Sequence, residues 1–147
     1  MIKKANNVTS NLKLVLASAS PRREEILNKL NLKFTIVPAK INEDNFSNSD
    51  PIELVKTLAL EKAKSVSELV EEAIVIAADT VVVFNGQILG KPADETDAKN
   101  MLKSLNSNQH QVITGLAVLN SNTEKIFVEH NITDVKMINM TEKEIDN

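Results

Sequence analysis

The chain has 147 residues, enough for one self-sufficient core, with 42% hydrophobic and 25% charged side chains. It has no cysteine and two histidines, which excludes disulfides, thiolate metal sites and cysteine nucleophiles and leaves little for a histidine-rich zinc site. A net charge of −3 argues against a broad basic surface for nucleic acid, and no apolar run reaches the roughly 20 residues of a membrane span. Residues 1–11 are polar, with no signal-peptide apolar stretch behind their lysines; a flexible N-terminus ahead of one domain over 12–147 is expected. The default expectation is a cytoplasmic protein without nucleic-acid or membrane partners.

Residues 12–17 read as a short strand. Ser20 and Pro21 start a helix whose Ile26, Leu27 and Leu30 form an apolar stripe. Phe34 to Val37 is a second strand, followed by a polar loop over 40–50. Asp50-Pro51-Ile52-Glu53 opens another helix, with Val55, Ala59, Ala63, Val66 and Val70 on one face. The apolar stretch Ile74–Phe84 is one long strand or two broken near Asp79-Thr80. Asn85-Gly86 predicts a tight turn, with 87–89 pairing back as a hairpin. Asp94 can cap a helix carrying Ala98, Met101, Leu102 and Leu105. Two or three strands follow, at about 111–119, 125–130 and 133–139. Helices alternating with strands, then a run of strands, indicate an α/β domain with a mixed sheet. Thr141-Glu142-Lys143-Glu144 is a capping-box signature announcing a helix three residues before the last residue, so the chain reads as cut short or as a frayed tail.

Several residues stand out chemically. Asp79 lies within an apolar strand, where an unpaired carboxylate is costly; it is a metal ligand or general base facing a cleft, or marks a strand break facing solvent. Ser18-Ala19-Ser20-Pro21-Arg22-Arg23 joins a strand to a helix N-terminus, where free N–H groups and the helix dipole favour an anion and arginine can grip phosphate. It is a phosphate cradle, a solvated basic turn or a Ser-Pro modification site. Lys62 falls near the apolar face of its helix, either snorkelling to solvent or reaching into a cleft. Lys91, between Gly90 and Pro92, is a positioned cation or a turn lysine. Glu43 lies in a polar loop, and His110 is expected to cap or hydrogen-bond locally. Two carboxylates, two arginines and two lysines form a set suited to phosphoryl chemistry. Neither a P-loop nor a dinucleotide-binding glycine motif is present.

Five segments occur in one order: Leu16 to Arg23, Glu61-Lys62-Ala63, Ala78-Asp79-Thr80, Gly90-Lys91-Pro92, and His110 to Gly115. With them the chain, from about Leu14 to Ile145, resembles the Maf family of nucleoside triphosphate pyrophosphatases, the septum-formation proteins. The resemblance implies an elongated mixed β-sheet flanked by helices, in two lobes around a central cleft, as in the inosine triphosphate pyrophosphatases. It implies hydrolysis of a nucleoside triphosphate to monophosphate and pyrophosphate with Mg2+ or Mn2+. It makes Asp79 the catalytic carboxylate, Glu43 and Asp79 metal ligands, and Ser18, Arg23, Lys62 and Lys91 phosphate-binding. Arg22 and Thr80 match positions tied to base selection. Ala-Asp-Thr resembles the branch acting on dTTP and UTP, or on modified pyrimidine nucleotides, and a homodimer is common in the family. Asn42 stands before Glu43 where an acidic residue is common, and the family continues past the position of Asn147 with a Gly-Ile-Gln-Gly segment. The alternative reading is a catalytically weak nucleotide-binding or division-regulating protein, or an inactive fragment.

Overall fold

The computed structural model describes residues 12–147; the expectation of a flexible segment over 1–11 lies outside the described residues. In chain order the elements are β1 (Lys13–Leu16), α1 (Pro21–Lys29), β2 (Thr35–Ile36), a 3-10 turn (Glu43–Asn45), α2 (Pro51–Ser67), β3 (Ala73–Phe84) and β4 (Gln87–Leu89). Then follow α3 (Glu95–Leu105), β5 (Gln109–Asn120), β6 (Ile126–Lys136) and α4 (Glu142–Ile145). Six strands form one mixed sheet in the order β2-β1-β3-β5-β6, with β4 also paired to β3. The β2-β1-β3 pairs are parallel and the β3-β5-β6 pairs antiparallel. Parallel neighbours need crossovers: α1 carries the chain from β1 out to β2, and α2 brings it back past β1 to β3. None of the helices among the described residues is long and apolar enough to cross a membrane.

The core lies between α2 and the sheet. Val55, Ala59, Ala63 and Val66 recur at helical spacing and are fully buried. Opposite them, alternate residues of β3 and β5 (Ala73, Val75, Ala77, Ala117) are equally buried. Asp50 caps α2 by accepting from the Ile52 N–H at 2.9 Å, and Pro51 occupies the first turn, as its local sequence predicts. Asn85 and Gly86 both take positive φ, 48° and 75°, the geometry of the tight turn that returns β4 onto β3.

Two open alternatives are decided and two expectations change. Ile74–Phe84 is one uninterrupted strand, because β5 pairs along it from Ile74 to Val83 and holds Asp79 in register. The strands expected at 125–130 and 133–139 are a single strand, β6, whose polar middle pairs with β5 without a break and which ends at Lys136. The apolar stripe of α1 is largely uncovered: Leu27 is buried, but Ile26 and Leu30 are 57% and 61% exposed. Ser20 occupies the N-cap position of α1, yet its side chain makes no capping bond. The capping box at the C-terminal end is complete. Thr141 accepts from the Glu144 N–H, Glu144 accepts from the Thr141 N–H, and Ile145 buries itself as the anchor of this single turn.

Candidate active site

The site grows out of a gap in the sheet. On one side of β3, β1 pairs with residues 73–76 and β4 with residues 82–84. Ala77 to Val81 therefore have no strand neighbour on that edge, while β5 pairs with them on the other. The gap opens at the carboxyl end of β1, where the crossovers leave in opposite directions, the place where open α/β sheets accept ligands. Asp79 stands in this gap. The strand position of a carboxylate, anomalous in the sequence, is thus a position at the sheet's opening.

Asp79 is buried, 7% exposed, and is paired. Lys62 reaches it from α2, Nζ to Oδ1 at 2.6 Å, and the same ammonium meets Glu43 Oε1 at 2.8 Å. The Lys62 side chain is only 14% exposed, so it points into the cleft and does not snorkel outward. Burial pushes the Lys62 pKa down, but its hydrogen bonds to Asp79 and Glu43 outweigh this and raise it above the ordinary lysine value. The Lys62 hydrogen bond likewise lowers the Glu43 pKa, with Lys91 and Arg23 adding to the effect. Asn42 holds the 3-10 turn that presents Glu43, its Oδ1 accepting from the Asp44 N–H at 3.1 Å.

A second chain of contacts runs from β1 to β5. Ser18, buried, accepts from the Ser20 N–H at 3.2 Å and from Arg23 Nη1 at 3.1 Å. Arg23 Nη2 donates to Thr80 Oγ1 at 3.4 Å, and Thr80 Oγ1 lies 2.9 Å from Thr114 Oγ1. Burial lowers the Arg23 pKa, Asp79 opposes that shift and Arg22 adds to it. The guanidinium next to α1's first turn is therefore anchored by Ser18 and Thr80.

Two adjoining cavities result. One, of about 810 Å³, is lined by three cations (Arg23, Lys62, Lys91) and three carboxylates (Glu43, Asp44, Asp79). The other, of about 400 Å³, is mostly apolar, with Leu16, Ile26, Leu27, Ile76, Ala78 and Leu116 around Arg22 and Thr114. Ser20, Arg23 and Thr80 line both and form the boundary. The structure thus brings together Glu43, Lys62, Asp79 and Lys91 on the charged side, and Arg22 and Thr80 toward the apolar side. Ser18 lines neither cavity and reaches them through Arg23. His110 lines neither, and the expectation that it hydrogen-bonds locally is corrected: it is buried, and its Nδ1 has no partner among the described residues. Thr114 is the residue that sequence reasoning passed over. Its signal was its place opposite Thr80 in the sheet, visible only once the register of β3 and β5 is known.

Glu43 and Asp79 fit a hard divalent cation. Both are oxygen donors and both already accept from one positive charge, which shows that they can converge on a cation. The described residues hold no cluster of three or more His, Cys, Asp or Glu suited to a metal. Such a cation would take its remaining ligands from water and a bound anion, as Mg2+ commonly does.

The Maf-like protein family model matches residues 13–147. The chain belongs to this family. A dTTP/UTP pyrophosphatase of Clostridioides difficile (strain 630) is 44% identical over 135 residues, 92% of this chain and 70% of that protein. One of Pelotomaculum thermopropionicum is 45% identical over 132 residues, 90% of this chain and 69% of that protein. Among solved structures, a HAM1 protein from Coxiella burnetii matches with a TM-score of 0.52, covering 85% of this chain and 72% of that one. At 18% identity that likeness concerns the fold: a mixed sheet flanked by helices.

Proposed function

We propose that this Maf-like chain is a nucleoside triphosphate pyrophosphatase that cleaves dTTP or UTP to the monophosphate and pyrophosphate. The observation that carries the reading is the juxtaposition of the two cavities. The charged one, with Arg23, Lys62 and Lys91, suits a triphosphate; the apolar one, beginning at Thr80 and Arg22, suits a flat pyrimidine. The dTTP/UTP pyrophosphatase names of relatives above 40% identity support the same substrates.

In this reading Asp79 is the general base. Lys62 holds Oδ1, leaving the second carboxylate oxygen to take a proton from water. The water oxygen bonds to phosphorus, the bridging P–O bond breaks, and pyrophosphate leaves with the electron pair. Arg23, Lys62 and Lys91 offset the triphosphate's charge, and Ser18 contributes by fixing Arg23. A Mg2+ or Mn2+ ion held by Glu43 and Asp79 would neutralise phosphate charge when bound. Arg22 and Thr80 act in base selection. The enzyme works in the cytoplasm on free nucleotides and requires no nucleic acid or membrane.

Chromatographic product analysis with UTP or dTTP and Mg2+ tests the reading. The unmutated chain is expected to release monophosphate and pyrophosphate, and Asp79→Asn to lose about 10²- to 10⁴-fold in rate while retaining nucleotide affinity. Saturable nucleotide binding without product from the unmutated chain would overturn the enzymatic reading in favour of a binding protein.

A further inference from the structure

Gly115 lies within β5, where glycine costs conformational entropy and packs nothing. Its φ is not positive, so backbone freedom does not explain it. Space does. A Cβ at Gly115 would stand 2.3 Å from the Val55 carbonyl oxygen, 2.4 Å from its carbonyl carbon and 2.8 Å from the Lys56 nitrogen. All three are backbone atoms of α2, which cannot swing aside as a side chain would. Gly115 is also the cross-strand partner of Asp79. Val55 and Lys62 are seven residues apart on α2, two turns along the same side. This close approach of α2 to the sheet and the ammonium that grips Asp79 therefore lie on one stripe of one helix.

We propose that Gly115 is a positioning residue: its missing side chain lets the α2 backbone close on the sheet beside Asp79, and that approach sets Lys62 on the carboxylate. A methyl at 115 must push α2 back by about 1 Å to restore ordinary contact. The Lys62–Asp79 contact, at 2.6 Å, does not survive such a shift at full strength. The inference rests on the proposed nucleotide site for its consequence in turnover, but the coupling of Gly115 to Lys62 is a property of the fold alone.

A double-mutant cycle tests it, with Gly115→Ala, Lys62→Met and the pair, read in two ways. The first readout is the urea midpoint without nucleotide. Lys62→Met is expected to lower the midpoint in the parent, by leaving Asp79 buried without its cation, and to leave it unchanged in the Gly115→Ala background. The second is kcat/KM for UTP with Mg2+. Gly115→Ala is expected to lose roughly 10- to 100-fold, as a displacement of about 1 Å can cause. Adding Lys62→Met should then cost less than about threefold, against tenfold or more in the parent. Additive effects in the urea cycle would overturn the proposal and leave Gly115 with a packing role only. Absence of turnover from the parent would sink the nucleotide reading while the urea cycle still decides the coupling. Should Gly115→Ala not fold, Ala59→Val replaces it. That variant thickens the same helix–sheet contact one turn along and must abolish the Lys62 coupling in the same way.

Discussion

The two faces of the sheet are built to different standards. On the α2 face, Ala59, Ala63 and Val66 meet Val75, Ala77 and Ala117, and Val55 meets Val83 and Ile113, all of them buried. On the α1 face, Leu27 is the only buried residue of the helix, while Ile26, Leu30, Leu116 and Phe127 keep between 36% and 61% of their surface exposed. Small residues explain the first face: alanines and Gly115 let α2 lie close enough for Lys62 to reach Asp79. On the second, α1 is tied down at its first turn by the Ser18–Arg23–Thr80–Thr114 chain, and its apolar side borders an open cavity. One face holds the Asp79 carboxylate against Lys62, and the other leaves room beside it.

Leucines on the two faces sharpen this contrast most. Leu119→Ala, on the α2 face at 5% exposure, should cost about 2–5 kcal/mol in urea denaturation. Leu30→Ala, on the α1 face at 61% exposure, should cost less than about 0.5 kcal/mol. Equal losses would show that the α1 face is covered in solution. A smaller effect is expected at the boundary. Thr114→Val removes the hydroxyl that supports Thr80, and so loosens Arg23; KM for UTP should rise roughly 2- to 10-fold with kcat little changed. An unchanged KM would disconnect the α1 anchor from binding.

The smallest effect concerns α4. Hydrogen bonds from the Thr141 N–H and hydroxyl hold the Glu144 pKa below the ordinary carboxylate value. A depressed folded-state pKa means that the ionised group's contribution is fully present above the unfolded value, about 4.3, and is lost as pH falls through the lower folded value. Glu144→Gln should therefore lower the urea midpoint slightly at pH 7, and that difference should shrink on acidification below about pH 4. A gap that is constant with pH would assign the effect to something other than charge.

Much of this was legible residue by residue. Asn85-Gly86 could only turn tightly, since two successive positive φ values favour those side chains. The spacing of Val55, Ala59, Ala63 and Val66 made α2 an amphipathic helix, and Thr141 with Glu144 closed the capping box of α4 locally. Asp79, Lys62 and Arg23 were conspicuous because each placed a charge where its neighbours were apolar or its helix end disfavoured it. Less legible was anything set by pairing. The break allowed between 130 and 133 proved to be continuous strand in β6, with Asn131 and Ile132 paired to Thr114 and Ile113 of β5. The α1 stripe had the right period and little to pack against.

Local chemistry, then, determined the helices, the hairpin, the alternation of α and β, and which charges were out of place. Those features depend on contacts within a few residues, which the order of side chains specifies directly. Only the tertiary structure decided that Lys62 bridges Glu43 and Asp79, that Thr114 backs Thr80, that Ser18 acts through Arg23, and that Gly115 admits α2. Each of these depends on sheet register or on the distance between a helix and a sheet, and both are set by how the whole core packs.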